Sequence, residues 1–334
     1  MTSLSIIIPV YQVEPFIRPC LQSVYSQDLE DDTFEAILVN DGTVDNSMEV
    51  IEDIMAQHRN ITVINQPNQG LSVARNNGIA AAKGTYILMP DSDDLLVEHS
   101  VRPLLEKALA TKADLVVADF AMVNHQEILG GNIPTNEAGT EPLFVEKSGQ
   151  QLFMEDLMPN QYYVWRTLFR REFITSQHIT FYPGIVFQDI PFTHECYLRA
   201  GRCLRTHWLM NIYRRGHYSV SSPDTFNMRK AHDFCIAIRQ TWRLREMGEV
   251  MSPQLRNKLT DEVFISYENL FRRALYATKG YSNKVAIMSL LRQEVPDLRF
   301  THGKKQRIHT LLLRLSPHLS IWFGMIVKRL YWHS

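Results

Sequence analysis

The chain has 334 residues, 45% hydrophobic and 21% charged, with 15 Gly and 15 Pro. That balance is ordinary for a packed globular protein and excludes collagen-like, mucin-like and wholly disordered chains, which cannot or need not bury a core. With 35 Lys and Arg against 36 Asp and Glu, the formal net charge is -1, so no global basic field favours nucleic acid. At ~100–200 residues per domain, two domains are expected, or one large domain with an appendage. Cys20, Cys196, Cys203 and Cys235 include no Cys-x-x-Cys pair, which argues against a disulfide framework or zinc site and for a reducing compartment. Met1-Thr2-Ser3-Leu4 lacks the basic start and cleavage site of a signal peptide. The best apolar run, Leu319–Val327, is under half the ~20 residues of a spanning helix, so a cytoplasmic protein is expected.

The first 120 residues alternate two kinds of segment. Short apolar, β-branched runs at Ser5–Val10, Glu35–Asn40, Ile61–Asn65, Thr85–Met89 and Asp114–Phe120 predict buried strands. Met48, Ile51, Ile54 and Met55 recur at helical spacing after a possible cap at Asp45 or Asn46, as do Leu104, Leu105, Ala108 and Leu109. Between the first two strands, Pro15 suits a first helical turn, whereas Pro19 argues against an uninterrupted helix. Strand–helix alternation predicts a mostly parallel sheet with helices on both faces, an α/β fold. Residues 121–147 read as an irregular flap. After Pro223 the strand signals nearly stop. Phe226–Glu249, Gln254–Thr278, Asn283–Gln293 and a stretch from about Gln306 read as helices, which places a candidate boundary near Ser222.

Ligands of open α/β sheets bind outside the carboxyl ends of the strands. Here the first strand ends in Pro9-Val10-Tyr11, the second in Asn40-Asp41-Gly42 and the fourth in Asp91-Ser92-Asp93-Asp94. Clustered acids repel unless a cation or donor sits between them. Hard oxygen ligands of this kind suit Mg²⁺ or Mn²⁺ shared with a substrate phosphate. Alternatively, Asp91 and Asp94 only cap the next helix. Asp41 reads as an Asx-turn residue or as an acceptor for a base or ribose. The P-loop, the G-x-G-x-x-G fingerprint and the G-x-S-x-G elbow are all missing, which leaves a metal-assisted nucleotide site without a phosphate loop.

Four motifs make the chain resemble glycosyltransferase family 2. They are Ser5-Ile6-Ile7-Ile8-Pro9-Val10-Tyr11, Val39-Asn40-Asp41-Gly42-Thr43-Val44-Asp45-Asn46-Ser47, the run from Asn68 to Gly78, and Asp91-Ser92-Asp93-Asp94. The resemblance implies a GT-A type fold: a nucleotide-binding α/β half at 1–120, an acceptor half at 121–222, and here a helical C-terminal region at 223–334. It implies an inverting, metal-dependent transfer of sugar from a nucleotide-diphosphate sugar, by default a UDP-sugar, to a saccharide or lipid-linked saccharide in polysaccharide biosynthesis. Pro9, Val10 and Tyr11 would line the nucleotide, with Asp41 on the base, Arg75 near the donor, and Asp91 and Ser92 near the ribose or donor sugar. Asp93 would ligate Mn²⁺ or Mg²⁺.

Inversion needs a base for the attacking hydroxyl. The family places it in a Glu-Asp pair before a helix, and Gln188-Asp189 stands there, which makes Asp189 the candidate, or else a helix cap. Arg215 and His217, in Tyr213-Arg214-Arg215-Gly216-His217, resemble a basic loop over the donor diphosphate, or form a solvated turn. Trp165 would stack on a sugar if exposed and fill the core if buried. A catalytically impaired sugar-binding or scaffolding module is the non-enzyme alternative, with Gln188 its foothold. A nucleotidyltransferase is disfavoured because no glycine-rich loop follows the first strand. From Leu298 onward seven Lys or Arg and no acid are interleaved with Trp, Phe and Leu. That composition suits a helix lying in an anionic membrane interface, or else an apolar face packed on the domain. The expected partners are therefore the donor, a saccharide or lipid-linked acceptor and a membrane surface, with no nucleic acid.

Overall fold

The computed structural model describes residues 2–157, 161–216, 226–247 and 251–331. The candidate His217 and the expected boundary at Ser222 lie outside the described residues. In chain order the first half contains β1 (Leu4–Val10), α1 (Glu14–Tyr25), β2 (Phe34–Asn40), α2 (Glu52–Gln57), β3 (Ile61–Asn65), α3 (Leu71–Ala81), β4 (Tyr86–Leu88), β5 (Leu95–Leu96), α4 (Val101–Thr111) and β6 (Leu115–Asn124). There follow α5 (His125–Leu129), β7 (Val145–Lys147), α6 (Gly149–Glu155), β8 (Thr167–Arg170), α7 (Arg171–Ser176), α8 (Asp189–Arg199) and β9 (Cys203–Arg215). The rest is helical: α9 (Met228–Arg243), α10 (Pro253–Tyr276), α11 (Tyr281–Glu294), α12 (Gly303–Leu315) and α13 (Pro317–Tyr331).

One sheet runs β3-β2-β1-β4-β8-β6-β9-β5, with β7 paired to β9. It is parallel from β3 to β4 and again between β6 and β9, and antiparallel on both sides of β8 and at β5 and β7. All seven residues of β1 are buried, as continuous apolarity requires when both faces are covered. Ile6 and Ile8 join Ile17 and Leu21 of α1 and Leu104 of α4 in one cluster. On the other face α3 lies close: a Cβ at Gly78 would come within 2.3 Å of the Ile7 side chain. Pro9 is tolerated in this central strand because pairing to β4 stops at Ile6, so its missing N–H leaves no ladder bond open there.

Local expectation and structure differ at three places. Helix α1 runs through Pro19, because Ile17, Cys20, Leu21 and Val24 all bury. Four such side chains at ~1.5–3 kcal/mol each outweigh an internal proline's ~3 kcal/mol. β6 extends through Asn124, so the flap is shorter than its composition suggests. The last helix is two, broken where Ser316 is extended (φ -163°, ψ 133°) before Pro317, the conformation a following proline favours.

By packing, the chain forms two units. The sheet unit comprises Met1–Asp156, Tyr163–Gly184 and Phe192–His217, and the helical unit Leu157–Tyr162, Ile185–Pro191 and Tyr218–Ser334. Within the helical unit Leu259, Val263, Tyr267, Ile287, Met288 and Leu291 are buried. α13 presses on α10, where a Cβ at Gly324 would meet the Phe271 ring at 2.6 Å. No helix of the described residues is long and apolar enough to cross a membrane.

Candidate active site

In the sheet unit the predicted residues gather at the carboxyl ends of β1, β2 and β4. Tyr11, just beyond β1, is 40% exposed, whereas Pro9 and Val10 are buried. The turn after β1 is fixed by the one after β2: Thr43 Oγ1 accepts from the Gln12 N–H at 2.8 Å, and Asp45 accepts from the Glu14 N–H at 3.1 Å. Hydrogen bonds from Ser47 and Thr43 hold the Asp45 carboxyl below the usual range, against its partial burial.

Asp41 is buried and its acceptors are mostly taken. Oδ1 accepts from the Gln66 amide and the Gln69 N–H, both at 2.8 Å, and Oδ2 from the Gly70 N–H at 2.9 Å. The carboxylate therefore holds the loop that leads into α3. Gly42 follows at φ +68°, where a Cβ would also crowd the Asn68 N–H at 3.0 Å, so glycine is required there.

Arg75, on α3, is 2% exposed and donates from Nη2 to Asp91 Oδ1, with its guanidinium 5.3 Å from the Phe181 ring. Its Nε has no partner among the described residues. A carboxylate oxygen from each of Asp91, Asp93 and Asp94 lies within 4.8 Å of the others. Burial raises the Asp91 carboxyl, Arg75 opposes that, and Asp93 adds to it. Asp94 is fully buried and lifted well above the carboxylate range by burial, then by Asp93 and Asp91. Its Oδ1 accepts from the Arg214 N–H at 2.8 Å, while Oδ2 has no partner among the described residues. Three hard oxygens held this close fit a divalent cation. Asp91 is positioned by its ion pair with Arg75, and Ser92 is buried between the two acids.

Sequence reasoning missed Arg214. It chose the neighbouring Arg215, which is exposed and lies over its own strand's Tyr213 at 5.5 Å. Arg214 is buried, donates to the Asp93 carbonyl at 2.7 Å and pairs with His125 Nδ1 at 2.9 Å. Met210 and Ile212 are fully buried, and alternation along β9 puts residue 214 on their side. That period-two pattern was the available signal.

The candidate base belongs to the helical unit. Asp189 opens α8 and its Oδ1 accepts from the Ile190 N–H at 3.1 Å. Gln188 is buried, and its Oε1 has no partner among the described residues. Phe187 stacks on Phe234 of α9 at 4.3 Å, with Arg273 of α10 5.7 Å from its ring, and Asp233 accepts from the Val186 N–H. Trp165 is buried, the core alternative.

The sequence profile of glycosyl transferase family 2 matches residues 5–179, more than half of the chain. The chain belongs to glycosyl transferase family 2. It is 37% identical over 220 residues to the uncharacterized glycosyltransferase EpsJ of Bacillus subtilis, a match covering 65% of this chain and 62% of that relative. The fold matches S. aureus TarS 1-349, crystallised with UDP, at TM-score 0.74 and 18% identity, over 98% of this chain and 91% of that one. It also matches the mannosyltransferase PcManGT of Pyrobaculum calidifontis, solved with GDP-Man and Mn²⁺, at TM-score 0.54 and 14% identity, over 99% and 88%. The sheet with its helical C-terminal region is thus the GT-A-like fold expected.

Proposed function

We propose that this family member transfers a sugar, with inversion, from a nucleotide-diphosphate sugar to a hydroxyl of a saccharide or lipid-linked saccharide during polysaccharide biosynthesis. The observation that carries the reading is the ion pair of buried Arg75 with half-buried Asp91, beside Asp93 and Asp94 at the strand ends. The UDP bound by S. aureus TarS supports a UDP-sugar as donor, and the Mn²⁺ of PcManGT supports a divalent cation. Asp93, with Asp91 and Asp94, would hold Mn²⁺ or Mg²⁺, which when bound stabilises the charge developing on the leaving diphosphate. Arg75 orients Asp91 and opposes the rise that burial gives its carboxyl. Arg214 steadies the acid loop through the Asp93 carbonyl, and Tyr11 is available to the nucleotide.

Asp189 is the proposed base. It takes the proton of the attacking hydroxyl, and its place at the start of α8 fixes the carboxylate through the Ile190 N–H. Gln188 can orient but not ionise, so one acid carries the proton. Incubation with Mn²⁺ and a panel of nucleotide sugars, followed by assay of released nucleoside diphosphate, tests the reading. Release that depends on Mn²⁺ and on Asp93 is expected, and no release from any donor would overturn it.

We further propose peripheral contact with an anionic membrane through α12 and α13. Leu311, Leu315 and Trp322 are 58%, 61% and 59% exposed, while Leu313 and Ile321 pack inward. Lys304, Arg307, Arg314 and Lys328 are exposed as well. This double face favours the interface reading over simple packing.

A further inference from the structure

Beside the acid cluster, within the sheet unit, four aromatic rings gather. Tyr163 and Trp165 stack at 4.6 Å and 11°, and Phe120 stands edge-on to them at 5.4 and 5.0 Å. Tyr213 leans on the same two at 5.4 and 5.6 Å. Trp165 is buried, but Phe120, Tyr163 and Tyr213 are each only half-buried. The wall adjoins the acids because the residue after Tyr213, Arg214, gives its N–H to Asp94.

On the same face of the sheet sits a buried polar group. Asn211 is in register with Phe120 and two residues before Tyr213, so the three share one face of the sheet. It is fully buried, and neither its amide nitrogen nor its oxygen has a partner among the described residues. An unsatisfied buried polar group is destabilising. A cluster built only for packing would cover its rings and leave no amide open at both ends.

Half-open aromatic faces with one amide able both to give and to accept match a ring with an apolar C–H face and a hydroxyl edge. We propose that Phe120, Tyr163, Tyr213 and Asn211 form a subsite for a pyranose ring next to the acid cluster. The sugar stacks on the tyrosine rings, and on binding the Asn211 amide turns to its hydroxyls. The assignment rests on the glycosyltransferase reading. The pyranose is either the donor's sugar or the acceptor's.

The test is saturation-transfer NMR and calorimetry on the full chain with Mn²⁺. The probes are UDP, UDP-GlcNAc, GDP-mannose, and the methyl glycosides of glucose, galactose, mannose and N-acetylglucosamine. Wild type, Tyr163→Ala, Tyr163→Phe and Asn211→Leu are compared after their melting curves show folded protein. Saturation of pyranose C–H protons is expected. Tyr163→Ala and Asn211→Leu should weaken sugar binding about 3–10-fold, and Tyr163→Phe should keep it. Loss confined to nucleotide sugars, with UDP unchanged, assigns the donor's sugar. Loss confined to methyl glycosides assigns the acceptor's. Unchanged sugar binding in both folded variants, or no sugar saturation in wild type, overturns the subsite. If no nucleotide or nucleotide sugar binds at all, the transferase reading falls, and the methyl glycosides still decide the subsite.

Discussion

The two units handle buried charge in different ways. In the sheet unit Asp94, Arg75 and Arg214 are buried with atoms left unpartnered among the described residues, all around the strand ends. In the helical unit the buried Glu262 has both oxygens engaged, by Tyr162 and Lys258, each at 2.7 Å. Its Asp233 has one oxygen without a partner among the described residues, and that side chain accepts from the Val186 N–H in the segment before Asp189. A buried polar group costs stability unless bonded, so open valences mark where the fold is built for something other than itself. The helical unit also carries an apolar ridge that faces water on α12 and α13.

The sharpest way to break this contrast is at Asp93. If the clustered carboxylates exist to hold a cation against a diphosphate, Asp93→Ala should lower transfer by about 10³–10⁴-fold, the several kcal/mol a bound cation supplies. Mn²⁺-dependent UDP binding should vanish in calorimetry with the melting temperature little changed. Full turnover of Asp93→Ala in excess chelator would show that the acids are structural. Next in size is Asp189→Asn, which keeps volume and the hydrogen bond to Ile190 but cannot take a proton. Turnover should fall about 10²–10⁴-fold with donor affinity nearly unchanged. Wild-type turnover would move the base elsewhere, and Gln188→Glu alongside asks whether a second acid helps.

His309 separates the units by pH. It is buried in the helical unit against Tyr267, at 3.1 Å. Burial pushes its pKa down to about 4, with Glu268 opposing and Lys305 assisting. The fold holds the neutral ring, so this stability is whole above pH ~6.5 and is lost as pH falls toward about 4. At ~1.4 kcal/mol per unit that amounts to about 3 kcal/mol. Hydrogen exchange should show α10 and α12 loosening at pH 4.5 relative to pH 7. His309→Gln, which keeps a partner for Tyr267 without titrating, should flatten the change. An unaltered acid response would clear His309 of any part in it.

How much of this was legible follows the same division. Continuous apolar runs announced β1, β2 and β4 as buried strands, and helical periodicity announced α9 to α11 to within a few residues. β3 is a strand as expected, but as the edge of the sheet none of its residues is buried. Polar residues at strand ends announced Asp91 and Asp93 through a motif. Arg214 stayed hidden because an arginine beside Arg215 and Gly216 reads as a solvated turn until strand alternation is taken into account. Asn211 stayed hidden because its register with Phe120 depends on β6 and β9 pairing across some 90 residues of sequence, and Tyr163 because its ring contacts, with Phe120 and Tyr213, also come from those two strands. Helix α1 was obscured by Pro19, since local propensity cannot weigh the apolar face that packing buries.

The smallest expected effect is on the outer ridge of the helical unit. Deleting the tail would not test it cleanly, because His309, Leu313 and Ile321 are buried within it, and their loss would open the bundle. Exposed side chains can be changed without that cost. Leu315→Ser with Trp322→Ser removes two apolar groups that face water, so the melting temperature should hold within about a degree, as surface changes usually stay within ±0.5 kcal/mol. If the ridge enters a lipid interface, each lost side chain forfeits part of its ~1.5–3 kcal/mol of apolar burial. Sedimentation with phosphatidylglycerol vesicles at low salt should then weaken about 10-fold or more, while donor hydrolysis in solution is untouched. Raising the salt should weaken the wild type as well, since Lys304, Arg307, Arg314 and Lys328 would each contribute about 1 kcal/mol at an anionic surface. Equal sedimentation of wild type and double variant would leave the ridge as an exposed apolar face without a membrane role, and the contrast between the units would then rest on the acids alone.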